Sequence, residues 1–220
     1  MKDILFDVDG VLIDSMPIWE NSANVYLLEV HGITAPPDVD KHCETLSLLE
    51  AGEYIKELYP QITLTKREIA DGVAELIREQ YWKVPERPGM IKTVKKLKKM
   101  GYHLYLATAS ETQNVKGALT NLGVWDDFDN IFTCTDIGYS KSYVEYYEEV
   151  AKRLGVACED LIMIEDSLHS IETAKKAGLT VVGVYEETSL YKQDTIKEVC
   201  DIYISSLDEV IEKLEKEGCK

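Results

Sequence analysis

With 220 residues and 45% hydrophobic content, the chain is long enough for a real core plus a smaller accessory unit, which excludes a disordered protein. Its 24 Lys and Arg against 40 Asp and Glu leave a formal charge of −16, a field that repels phosphate backbones and anionic lipid, so neither nucleic acid nor membrane is expected as a partner. Five cysteines, odd in number and in no CxxC pattern, exclude a disulfide framework or zinc site and point to reduced, mostly buried thiols.

The opening "MKDILFDVDG" meets acids before any apolar stretch of signal-peptide length, and no segment approaches the roughly 18 apolar residues of a membrane span, so a cytoplasmic location is expected. The run 3–8 reads as a buried strand. Helical patterns follow at 16–31, 44–58 and 66–82, and "VPERPGM" marks the return, with Pro85 and Pro88 stiffening a linker. The basic stretch "KTVKKLKKM" reads as one face of a helix over 89–100, its lysines between Met90, Ile91, Val94 and Leu97. Further strands are predicted at 103–108, 131–134, 161–164, 180–184 and, more weakly, 202–204, with helices at 111–122, 142–154 and 167–177. Gly101, Gly123, Gly155 and Gly178 stand where helix C-caps call for positive φ.

Strand alternating with helix predicts an α/β fold, a Rossmann-like doubly wound parallel sheet. The long interval after the first strand predicts an inserted helical cap domain over 15–87, with a core domain made of 1–14 and 88–220. Ligands of such sheets sit outside the carboxyl ends of the strands. Asp7 and Asp9 fall there, as do Thr108, Ala109 and Ser110, then Lys141, then Glu165 and Asp166. Several carboxylates in one crevice repel one another unless a cation joins them, and an all-oxygen donor set suits Mg²⁺. An EF-hand fails because its third acidic position is Val11 and the segment follows a strand. "SETQ" at 110–113 fits a capping box, which competes with phosphate binding for Ser110. Lys141, ahead of a helix, is read as a clamp on a phosphoryl group.

"DVDGVLIDS", "LATAS", the Lys141 region, and "IMIEDS" with "AKKAGLTVVGV" together resemble the four motifs of the haloacid dehalogenase superfamily, in its branch of helical-cap phosphatases and β-phosphoglucomutase-like enzymes. The likeness implies an Mg²⁺-dependent phosphomonoester hydrolase acting on a small phosphorylated metabolite. By the same likeness Asp7 attacks phosphorus to form an aspartyl-phosphate, and Asp9 is general acid and then base. The metal would be held by Asp7, the Asp9 carbonyl and Asp166, with Glu165 direct or through water, and the phosphoryl oxygens by Thr108 and Lys141. The third motif usually continues Lys-Pro-x-Pro, whereas here it reads Lys141, Ser142, Tyr143, Val144. The sugar phosphomutases of the branch carry a His after the first motif and an Arg in a cap loop. Here Trp19 stands at the comparable place and "KHCETLSLLEAGEY" has no Arg, so hydrolysis is preferred to the mutase alternative. A non-catalytic binding protein would predict a broken motif, and none is broken. Trp19, Lys41 and His42 are candidate substrate contacts in the cap, with hinges near Ser15 and Arg87.

Overall fold

A computed structural model describes residues 3–43 and 48–216. The chain packs as two compact units, one of Met1–Asp14 with Val84–Lys220, the other of Ser15–Lys83. Val84 to Arg87 thus lie with the first unit, where Ile13 forms an antiparallel bridge with Glu86 and the Asp14 N–H donates to the Pro85 carbonyl.

The first unit begins with β1 (Asp3–Phe6), shorter than the apolar run because the Val8 carbonyl turns to accept the Leu12 and Ile13 amides. The second unit holds α1 (Met16–Glu20), α2 (Ser22–His31), α3 (Pro37–Cys43), α4 (Leu48–Leu58) and α5 (Lys66–Tyr81). The single helix expected over 16–31 is two, divided at Asn21, whose φ of −119° and ψ of 9° leave the helical region. The α3 helix was not anticipated. It opens on Pro37, which suits the first turn, and its buried Asp40 accepts the Ala23 and Asn24 amides at 3.0 Å each, satisfying free donors at the start of α2. Thr65 and Glu68 close a capping box on α5, whose Ile69, Val73 and Ile77 recur at helical spacing and are buried. A Cβ on Gly52 would lie 2.3 Å from the Lys66 carbonyl oxygen, so only glycine lets α4 and α5 approach this closely.

Back in the first unit come α6 (Met90–Lys99), β2 (His103–Thr108), α7 (Thr112–Asn121), β3 (Asn130–Thr133), α8 (Cys134–Ile137), α9 (Val144–Leu154), β4 (Leu161–Glu165), α10 (Leu168–Lys176), β5 (Thr180–Val184), α11 (Gln193–Val199), β6 (Ile202–Ile204) and α12 (Val210–Lys216). All six strands are parallel, in the order β3-β2-β1-β4-β5-β6. Leu5, Ala107, Met163 and Val181 from four strands share one core cluster with Tyr146, Tyr147 and Ile171, as expected of a parallel sheet covered by helices. On α6, Met90, Val94 and Leu97 are buried while Lys95, Lys96 and Lys99 face water, as the spacing predicts. Gly101, Gly123, Gly155 and Gly178 all have positive φ.

The thiols of Cys43, Cys134, Cys158 and Cys200 are free but only partly buried, a correction to the expectation of mostly buried ones; Cys219 lies outside the described residues. Among the described residues no helix is long and apolar enough to cross a membrane.

Candidate active site

From β1 the chain runs outward in both directions, to β2 and β3 on one side and to β4, β5 and β6 on the other. The crevice of such a sheet opens where that order reverses, at the carboxyl ends of β1 and β4. Asp7 leaves β1 there with its N–H on the Ile164 carbonyl at 2.9 Å, and Glu165 ends β4. Register therefore sets the first acid beside the last two.

Among the described residues, Asp7, Glu165 and Asp166 form a buried group whose carboxylate oxygens lie within 4.8 Å of one another. Lys141 closes it, its Nζ donating to Asp7 Oδ1 at 2.5 Å and to Glu165 Oε2 at 2.8 Å. The other Glu165 oxygen accepts the amides of Asp166 and Ser167 at 3.2 and 3.0 Å. Burial alone would lower the Lys141 pKa, but the charges of Asp7 and Glu165 outweigh it and hold the ammonium well above its usual range. Burial, then the Glu165 charge, pushes Asp7 up to about 8 despite Lys141. Asp166 rises well above the carboxylate range for the same reasons, burial first and then Glu165 and Asp7.

Three buried carboxylates against one ammonium leave surplus negative charge, which two of the acids would relieve by taking protons. A divalent cation relieves it equally, and oxygen donors suit a hard one, so the residues present fit a metal ion. The Asp9 carboxylate is not in the group; the resemblance called only on its backbone carbonyl.

Gly10 is required for a reason the sequence did not disclose. Its φ is +80°, and a Cβ there would stand 2.6 Å from Asp166 Oδ2, so the bare backbone makes room for the fourth motif.

Of the two alternatives for Ser110, the structure does not show the capping box. The N-cap of α7 is Glu111, with no side-chain capping bond. The Ser110 amide instead donates to Thr108 Oγ1 at 3.0 Å, and its hydroxyl donates to Asp9 Oδ2 at 2.7 Å. Thr108 is fully buried at the end of β2, while Ala109 is exposed. Ser170 is buried within α10, and its carbonyl accepts the Tyr147 hydroxyl at 3.1 Å.

Trp19, Lys41 and His42 belong to the other unit. The Trp19 side chain lies outside the described residues; Lys41 and His42 are exposed on α3, the His42 ring 4.4 Å from that of Tyr54. Of the loop "KHCETLSLLEAGEY", residues 44–47 lie outside the described residues. Arg87, expected near a hinge, is tied within the first unit: it pairs with Glu186 at 2.9 Å and donates to the Tyr185 carbonyl at 2.8 Å.

A family model described as haloacid dehalogenase-like hydrolase matches residues 4–184. YhcW of Bacillus subtilis (strain 168) is 31% identical over 189 residues, covering 84% of this chain and 83% of its own. Hexitol phosphatase B of Escherichia coli (strain K12) is 26% identical over 218 residues, 95% of this chain and 94% of its own. The crystal structure of β-phosphoglucomutase from Clostridium difficile superposes on all of both chains with a TM-score of 0.71 at 21% identity, a likeness of fold.

Proposed function

The chain belongs to the haloacid dehalogenase-like hydrolase family, and from that footing we propose that it hydrolyses phosphomonoesters of small polyols or sugars, with Asp7 as nucleophile and Asp9 as general acid and base. The observation that carries this reading is the buried Asp7–Lys141–Glu165–Asp166 cluster at the carboxyl ends of β1 and β4. The hexitol phosphatase relative suggests the substrate class.

In this reading an Asp7 oxygen attacks phosphorus, the bond from phosphorus to the alcohol oxygen breaks, and that oxygen takes a proton from Asp9. Water then attacks the aspartyl-phosphate, loses a proton to Asp9, and frees both phosphate and Asp7. An ammonium has three hydrogens. Two of those on Lys141 serve Asp7 and Glu165, which leaves the third for a phosphoryl oxygen whose charge grows in the transition state. Glu165 anchors Lys141 through Oε2, which keeps a lone pair that would serve a metal directly or through water. Thr108 and the Ala109 backbone complete the phosphoryl cradle.

Mg²⁺ held by Asp7, Asp166 and the Asp9 carbonyl would neutralise the carboxylates and the phosphoryl oxygens. We assign the Ser15–Lys83 unit the part of a cap that selects substrate, with Trp19, Lys41 and His42 as its candidate contacts.

The test is phosphate release from hexitol, sugar and triose phosphates and an aryl phosphate, with Mg²⁺ or EDTA, for wild type and Asp7→Asn. Metal-dependent release that vanishes in Asp7→Asn is expected. Release that survives the substitution would refute the nucleophile. No release from any ester, with phosphoryl migration within a sugar phosphate instead, would make the protein a mutase.

A further inference from the structure

A serine hydroxyl has one hydrogen to donate. That of Ser110 goes to Asp9 Oδ2 at 2.7 Å, and while it does so it cannot be donated to a phosphoryl oxygen. Nor is Ser110 a helix cap, since α7 starts after it with Glu111 as N-cap. Its backbone is pinned by the amide bond to Thr108 Oγ1, so the hydroxyl leaves the end of β2 from a fixed position. On the other side, Asp9 sits in a turn held by the Gly10 amide on the Ile13 carbonyl at 3.0 Å. The hydrogen bond thus joins the first and second motifs, 101 residues apart, between two backbones that are each fixed locally.

We infer that Ser110 is a positioning residue for Asp9, fixing the carboxylate so that Oδ1 is the oxygen that gives and takes the proton. The inference rests on the hydrolase reading above and deepens it. In the first step the proton on Oδ1 passes to the alcohol oxygen as its bond to phosphorus breaks. In the second, Oδ1 receives a proton from the water that attacks phosphorus, as the bond from Asp7 to phosphorus breaks. The Ser110 bond to Oδ2 persists through both, because that oxygen accepts whether Asp9 is charged or neutral. Without it Asp9 loses one of the contacts that orient its carboxyl, and proton transfer suffers while phosphate binding does not.

Leaving groups separate these roles. An alkyl oxide needs a proton to depart, whereas a nitrophenolate does not. Rapid-quench single turnovers in Mg²⁺ would compare the best alkyl phosphate from the panel with p-nitrophenyl phosphate, for wild type, Ser110→Ala and Ser110→Thr. In Ser110→Ala, phosphorylation of the enzyme by the alkyl ester should slow about tenfold and by the aryl ester by less than about twofold. Breakdown of the phosphoenzyme should slow as well, while KM and inhibition by inorganic phosphate stay at the wild-type level. Ser110→Thr should restore the rates. Equal losses with both esters, with weaker inhibition by phosphate, would overturn the inference and make Ser110 a phosphoryl ligand. Unchanged rates in Ser110→Ala would overturn it while leaving the hydrolase reading intact, whereas a wild type that cleaves no ester would overturn that reading itself.

Discussion

Replacing Lys141 with Met would leave Asp7, Glu165 and Asp166 facing one another without their cation. At an effective dielectric of about 20, unit charges at the observed 2.5 and 2.8 Å attract by about 6 to 7 kcal/mol each. Removing the ions from water cancels most of that gain, and taking one partner from a buried pair costs about 3 to 5 kcal/mol net. In a chain of this size the loss corresponds to a fall in Tm of about 6 to 20 °C. Circular dichroism melts in EDTA at pH 8 would read it, Met having been chosen to keep side-chain length and apolar packing. Proton uptake by the stranded carboxylates should soften the effect, so the gap from wild type should narrow at pH 5. A variant melting within about 2 °C of wild type at pH 8, well under the shift expected for a lost buried pair, would refute the reasoning, because the buried acids would then have no need of Lys141.

The metal-free protein should lose stability as pH rises. The folded state holds the Asp7 proton up to about pH 8, far above the 3.8 of an unfolded aspartate, so between those values folding takes up protons and each rise in pH weakens it. Melts in EDTA from pH 5 to 8 should show that fall, and excess Mg²⁺, which needs the deprotonated carboxylates, should reduce or reverse it. Gly10→Ala should destabilise by about 1 to 3 kcal/mol, through its φ of +80° and the clash with Asp166, and should raise the Mg²⁺ concentration needed for half-maximal activity. Unchanged melting and metal titration would show that Asp166 can yield the space.

The sequence disclosed the sheet because buried parallel strands are short apolar runs, and 103–108, 180–184 and 202–204 match their strands to the residue. It disclosed the acids because strand ends are where ligands gather. It could not disclose partnerships that only the register creates. Its place ahead of a helix marks Lys141 as a phosphoryl clamp, but not its burial or its charge partners, which are acids 134 and 24 residues away. "SETQ" carries every local sign of a capping box, but the Ser110 hydroxyl found Asp9 across the sheet, and a long-range bond outweighed the local pattern. Asp40 lies where the sequence predicts no element, and its burial follows from two amides of α2, 17 and 16 residues before it in the chain.

The stitching of residues 12–14 to 85–87 bears on how such a protein is assembled and altered. The Arg87 amide bonds the Leu12 carbonyl at 2.9 Å, and the Asp14 amide bonds the Pro85 carbonyl at 3.1 Å. To the sheet, the whole Ser15–Lys83 segment is therefore a single excursion entering and leaving through one narrow neck. The entropy of closing a loop grows only with the logarithm of its length, about 0.6 kcal/mol per doubling, so the length of what the neck carries costs the sheet little through loop closure. A tight turn could stand there, or a different bundle, with the strand order untouched. Recombination at this neck offers a route by which one core could carry different inserts without rebuilding its buried carboxylates.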